Sequence, residues 1–259
     1  MDLAKLFYAK AKELEVNWEV CGLLGANDKV YSLTDDTKVL STVFELLVAP
    51  VLKSIADDHG LIFKTSESQT VYPDFTLMRS EEDREKIAID VKTTYRRGAY
   101  INGSRSGRGN AGDPRPFSFT LGSYASYLRN NTKNIQYPYD TYAKDYIIGF
   151  LYSRNRGAEE GQIKDFEERN TINKPFIDVD YFVQEKYKIS GDKPGSGNTE
   201  NIGSFSTNKM EDFKEGRGPF SKLEKEVFEN YWKNYGGYRN ARAYTSLEEY
   251  QKWKINNGN

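Results

Sequence analysis

The chain has 259 residues, enough to bury a full core as one large domain or two small ones. A single cysteine (Cys21) and a single histidine (His59) exclude an intrachain disulfide, a cysteine zinc cluster, a multi-histidine metal site and a Ser-His-Asp triad. The net charge of −1 does not announce a nucleic-acid partner. No apolar run approaches the roughly 20 residues of a membrane span, and Met1-Asp2-Leu3-Ala4-Lys5 lacks a secretion-signal layout, so a soluble, cytoplasmic protein is expected.

Along the chain, Leu3, Leu6, Phe7 and Leu14 fall at helical spacing and predict an amphipathic first helix over 3–15. Segments 18–24 and 29–33 flank Gly25-Ala26-Asn27-Asp28, a hairpin signal. Thr34-Asp35-Asp36-Thr37 supplies N-cap chemistry for a helix carrying Val39, Leu40, Val43, Phe44, Leu47 and Val48, with Glu45 off the centre of the apolar stripe. Pro50 is expected to kink or end that helix, with a resumption through Leu52 and Ile55. Asp57-Asp58-His59-Gly60 reads as a helix end where an imidazole suits the dipole, a structural role for the one histidine.

Strands are expected at 61–64, 73–78 and 86–95, followed by a glycine-rich basic stretch. Residues 124–129 read as helical and 146–152 (YIIGFLY) as a buried central strand. The polar, acidic 153–174 reads as a loop and 178–189 as a strand. The glycine-dense 191–199 reads as a turn, and 221–235 and 246–254 as helices. With no internal repeat and no linker, the expected fold is one mixed α/β domain over 1–259 with a C-terminal helical subregion.

Two short segments carry the chemistry. Between Lys86 and Val91, Ile87, Ile89 and Val91 alternate with Ala88 and Asp90, the pattern of a half-buried strand, so Asp90 and Lys92 share one face. If Tyr72-Pro73-Asp74-Phe75 runs beside it, two carboxylates and an ammonium converge. Carboxylates that close repel unless a cation lies between them, and a hard divalent metal is the usual solution. The bland reading of the same residues is a salt-bridged sheet edge. Charge is also unevenly spread: 96–115 holds Arg96, Arg97, Arg105, Arg108 and Arg115 against the single acid Asp113. A near-neutral protein with one positive stretch remains compatible with DNA binding.

Six ordered blocks, DTKVLSTVFEL (36–46), YPDFTL (72–77), KIAIDVKTTY (86–95), FTLGSY (119–124), RNNTKNI (129–135) and GSGNTENIGS (195–204), resemble the EcoRV-like type II restriction endonucleases of the PD-(D/E)xK superfamily. The resemblance implies a restriction-endonuclease-like fold, a central mixed β-sheet flanked by helices, in a homodimer acting on double-stranded DNA. It implies metal-binding roles for Asp74 and Asp90, the active-site lysine at Lys92 and an additional acid at Glu45. Gln69 matches a minor-groove loop, although Ser66-Glu67-Ser68 departs from the pattern. Gly195, Gly197, Asn198 and Thr199 match a major-groove recognition turn, and Thr94, Asn131, Lys133 and Arg242 match positions near the DNA backbone. The family's site, GATATC cut at its centre to blunt ends, and a cognate methyltransferase protecting the host are implied too. The stretch 96–118 is longer than its counterpart; it is either an idle loop or an arm whose Arg105 and Arg108 grip phosphates or enter a groove.

The mechanism implied is Mg²⁺-dependent phosphodiester hydrolysis, with Asp74 and Asp90 holding the metal near a Val91 carbonyl and Lys92 positioning water or stabilising charge. The rivals are a repair or junction-cutting nuclease on the same fold and a DNA-binding protein that does not cut. Two adjacent acids that repel phosphate argue against the second.

Overall fold

The alternation that predicts strands at 73–78, 86–95 and 146–152 places all three in one sheet in the computed structural model, which describes residues 1–96, 115–123, 127–195, 201–236 and 243–257. In chain order, α1 (Leu3–Glu13), β1 (Gly22–Leu24), β2 (Lys29–Ser32) and α2 (Thr37–Asp58) lead into β3 (Ile62–Thr65), β4 (Phe75–Met78) and β5 (Lys86–Tyr95). Then come β6 (Thr120–Ser123), β7 (Tyr142–Arg154), β8 (Ile163–Asp165), β9 (Phe176–Glu185) and the short α3 (Lys186–Ile189). The chain continues through β10 (Ser190–Pro194), β11 (Asn201–Ser204), α4 (Met210–Lys214), α5 (Lys225–Asn234) and α6 (Leu247–Asn257).

The central sheet has the order β3-β4-β5-β7-β9. β5 and β7 run parallel and the other pairs antiparallel, so the sheet is mixed. Helices α1 and α2 cover one face, where Ile87, Ile89 and Val91 meet Phe44, Val48 and Leu52. The other face is covered by β6, β11 and the C-terminal helices, with Ala88, Ile147 and Phe182 packed among Leu121, Ile202 and Trp232. β5 is therefore buried on both faces from Lys86 to Val91, not half-buried. Its alternation suggested one wet face because the second core meets it through a small Ala88 and charged groups that find partners inside.

Asp36 caps α2, accepting the Lys38 and Val39 N–H groups. The helix continues through Pro50 to Asp58, so Pro50 does not end it. Pro50 and Leu46, whose carbonyl loses its i+4 donor, both lie on the exposed side, where water replaces the missing bond. By length and a mean hydropathy of 1.8 over its most apolar 18 residues, α2 would also suffice to cross a membrane, contrary to the expectation that no apolar run is long enough. Its eight buried side chains make it the core helix under β4 and β5. Each large one contributes about 1.5–3 kcal/mol through burial.

Three other expectations change. Residues 153–174 are not a plain loop: Arg154 ends β7, β8 pairs with β2, and 166–171 form a 3-10 turn. Pairing of so short a strand is a tertiary event with no local signal. Residues 127–129 form a turn, not a helix, and the strand expected over 178–189 gives way to α3 at Lys186.

The glycine-dense 191–199 does not begin as a turn. Ser190–Pro194 form β10, because glycines let β10 and β11 lie unusually close: a Cβ on Gly203 would stand 2.8 Å from the Gly195 Cα. The root of this hairpin is tied to the C-terminal helices. The Tyr231 hydroxyl donates to the Asp192 carbonyl (2.6 Å), Trp232 Nε1 to Ser190 Oγ (3.2 Å), and the Leu247 N–H to Asp192 Oδ2 (3.1 Å).

Candidate active site

Phe75 faces Ile89 across the β4–β5 ladder, so the same register sets Asp74 against Asp90. β4 stops at Phe75, and the Asp74 carboxylate takes the N–H of Val91 at 2.7 Å. The Tyr72–Pro73 peptide just before it is cis. Asp90 and Lys92 share a strand face, as their spacing requires: Lys92 Nζ lies 2.7 Å from Asp90 Oδ2 and 4.0 Å from Asp74 Oδ2.

Burial and the neighbouring Asp90 charge push the Asp74 carboxyl up to about 8. Burial acts on Asp90 too, but Lys92 and, behind it, Lys186 outweigh it and hold Asp90 below the usual carboxylate range. Lys92 is raised: burial disfavours its charge, and the two aspartates more than compensate. The two carboxylates are therefore pushed in opposite directions, Asp74 toward its protonated form and Asp90 toward its ionised one.

Glu45, Gln69, Asp74 and Thr94 line one cleft of about 580 Å³. Glu45 reaches it from α2, where burial raises its carboxyl. Among the described residues no group of three or more His, Cys, Asp or Glu is arranged to hold a metal, so Glu45 is not drawn into a three-carboxylate cluster with Asp74 and Asp90. It sits on a helix across the sheet face, at the distance of a charge neighbour. Gln69 is exposed on a turn pinned by Ser66 Oγ, which donates to the Ser68 or Val71 carbonyl, each at 2.7 Å.

Asn131 and Lys133 are exposed on a turn stitched beside the site, the Tyr72 N–H donating to the Asn134 carbonyl. The Asn131 side chain accepts the Asp140 N–H at 2.9 Å and so holds its own loop. Gly195 ends the hairpin root, its N–H on the Asn201 carbonyl. Gly197, Asn198, Thr199, Arg242, Arg105 and Arg108 lie outside the described residues. The basic stretch is pinned at both described ends. Arg96 donates to the Tyr152 and Asp178 carbonyls, and Phe117 is buried and bridged to Thr207.

Sequence reasoning missed several residues near the site. Ser41 and Thr93 hydroxyls lie 2.9 Å apart in the cleft wall, beside Thr37 and Lys38. More deeply, Lys186 pairs with Asp145 at 3.0 Å, both buried. One signal existed: an aspartate entering the apolar run 146–152 needs a buried cation.

The model of the family described as restriction endonuclease EcoRV matches residues 14–255. The chain belongs to the EcoRV restriction endonuclease family. It is 42% identical over 240 residues to the type II restriction enzyme EcoRV of Escherichia coli, covering 91% of each chain. The solved structure of NlaIV restriction endonuclease aligns over 97% of this chain and 89% of its own, with TM-score 0.38 and 14% identity, a likeness too slight to bear on the argument. As an EcoRV-family member the chain is a type II site-specific deoxyribonuclease with the restriction-endonuclease-like mixed α/β fold. This decides against both rivals, the repair-type nuclease and the binder that does not cut.

The donor set fits Mg²⁺. Asp74 and Asp90 bring two oxygen donors to one point at the cleft, and Mg²⁺ needs only one or two carboxylates because it keeps several waters.

Proposed function

We propose that this endonuclease hydrolyses both strands of double-stranded DNA at a short palindromic site in a Mg²⁺-dependent reaction, with Asp74, Asp90 and Lys92 as its cleavage centre. The observation that carries this reading is the convergence of Asp74 and Asp90 on one point, with Lys92 Nζ 2.7 Å from Asp90 Oδ2 and 4.0 Å from Asp74 Oδ2. Asp90, kept ionised by Lys92, and Asp74, once it yields its proton, would hold the metal. When bound, Mg²⁺ polarises the scissile phosphate and acidifies a water. Lys92, anchored on Asp90, presents its remaining N–H groups to the attacking water or to a phosphoryl oxygen. Glu45 adds negative charge at the cleft wall, close enough for Lys92 to act on it.

Recognition is assigned to the turn 195–199. Gly195 and Gly197 let the backbone approach base edges, Asn198 suits adenine N6 and N7, and the Thr199 methyl suits a thymine methyl. Gln69 is assigned to the minor groove, and Thr94, Asn131, Lys133, Arg242, Arg105 and Arg108 to phosphates. The leading target is GATATC, cut at its centre to blunt ends. Its flexible TA step would be read through ease of bending.

A homodimer is supported by an exposed apolar strip. Leu23, Tyr31 and Ile163 face each other in register across β1, β2 and β8 and are 54%, 40% and 57% exposed. We read residues 1–259 as a single domain acting in the cytoplasm, beside a methyltransferase that marks the host's own sites. Digesting DNA of known sequence with Mg²⁺ and sequencing the fragment ends tests the proposal. Blunt cuts centred in GATATC are expected. Ends at another sequence would remove the target assignment, and intact DNA would remove the cleavage centre.

A further inference from the structure

We propose that Lys186 is a positioning residue for the cleavage centre: its buried ammonium, joined to Asp145 and to the Tyr72 and Tyr127 hydroxyls, fixes the two carboxylates relative to the recognition hairpin. The proposal rests on the reading of Asp74 and Asp90 as the metal-holding pair. Lys186 is 1% exposed and Asp145 5%. A buried ion pair is a poor stability device, since apolar residues of similar volume often serve as well. Its place in the fold supplies another reason for it.

Lys186 Nζ lies 3.0 Å from Asp145 Oδ2, 3.2 Å from each of the two phenol oxygens and 4.3 Å from the centre of the Tyr72 ring. The Tyr72 and Tyr127 rings stack at 4.5 Å, so the ammonium fixes both at once. Each phenol leads to one carboxylate. Tyr72 is joined through Pro73 to Asp74, and its backbone is clamped by bonds to Asn134 and Gln136. Tyr127 leads to Asp90 through Gly122, whose φ is +96°. A Cβ at Gly122 would stand 3.9 Å from the Tyr127 hydroxyl and 3.8 Å from Asp90 Oδ2, so phenol and carboxylate both border this glycine.

Gly122 belongs to β6, which pairs with β11, and Lys186 opens α3, which runs directly into β10. Both strands of the hairpin are thus one short step from the node that holds the carboxylates.

Lys186→Met alone strands a buried aspartate, so the informative variant is Lys186→Met with Asp145→Leu, which removes the pair without changing net charge. A second, Tyr72→Phe with Tyr127→Phe, keeps the rings and the ion pair but removes both hydroxyls from the ammonium. Three readouts are taken on the full chain: the unfolding midpoint, Mn²⁺ binding by electron paramagnetic resonance without DNA, and kcat and KM on plasmid with Mg²⁺. In folded variants kcat is expected to fall about tenfold or more, and Mn²⁺ affinity in the same direction by about tenfold, as when outer hydrogen-bond partners of metal ligands are removed. KM for DNA should change little.

Wild-type kcat and wild-type Mn²⁺ affinity in either folded variant would overturn the proposal. If the first variant does not fold, the phenylalanine pair decides. Should the wild type leave plasmid intact, the functional reading fails on its own, and the Mn²⁺ titration still decides whether Lys186 positions the carboxylates.

Discussion

Lys92 is the residue proposed to stand closest to the chemistry, and on that proposal its removal should separate cutting from binding. Lys92→Ala is expected to lose at least about 100-fold in single-turnover cleavage, the scale of a lost transition-state donor. Binding to the target should stay within a few-fold, because β10 and β11, which flank the turn proposed for recognition, belong to another sheet. Near wild-type cleavage would end the assignment. Asp74 gives a second expectation. Its carboxyl titrates at about 8 in the folded chain and in the usual acidic range when unfolded, so between about pH 4 and 8 the native state binds the extra proton. Stability of the metal-free protein should therefore fall as pH rises through that window, with Glu45 acting in the same direction, and level off above 8. Thermal midpoints across pH check this, and Asp74→Asn should flatten the slope. At this scale the DxK spacing was legible because strand geometry alone puts Asp90 and Lys92 on one face. The partner of Asp145 was not, since Lys186 opens α3 and comes beside β7 only in the folded chain.

The β10–β11 hairpin is the element on which specificity is proposed to rest, and its tightness is a testable constraint. A methyl on Gly203 would meet the Gly195 Cα and N and the Lys193 carbonyl at 2.8–2.9 Å, all backbone atoms with little room to move. Gly203→Ala should cost about 1–3 kcal/mol, the range for forced overpacking, read from denaturant midpoints. It should also blur discrimination between the target and single-mismatch sites. An unchanged midpoint would mean the strands spread at no cost. Periodicity announced the long elements, β5, β7 and α2, because their apolar stripes are dictated by the cores they meet. It failed for β8 and β10. Three residues with one isoleucine carry no period, and glycines that look like a turn here serve close approach between strands.

At the scale of the whole molecule, assembly and DNA grip are the open variables. Leu23→Asp with Ile163→Asp places charge on the exposed strip of the β1-β2-β8 sheet. Sedimentation should then show a monomer with an unchanged fold, and double-strand cutting should give way to nicking. A persisting dimer would move the interface elsewhere. Replacing Arg105 and Arg108 by Ala should weaken binding to all sequences and flatten the plot of log affinity against log salt by about 0.9 per lost phosphate contact. An unchanged slope would leave the stretch an idle loop. Net charge gave no hint of a DNA substrate, because 37 basic residues are offset by 38 acids and only their placement matters. The ordered blocks carried the family, and with it the fold.

The hairpin's anchorage has an evolutionary consequence. Among the described residues, the bonds that seat it fall at its root: Trp232, Tyr231 and Leu247 of the C-terminal helices hold Ser190 and Asp192, and the Gly195 N–H donates to the Asn201 carbonyl across the strands. None of these bonds involves a side chain of 196–200, the stretch proposed to read bases. On that proposal, a lineage built this way can drift toward a new target word by replacements between the strands without first losing its foothold.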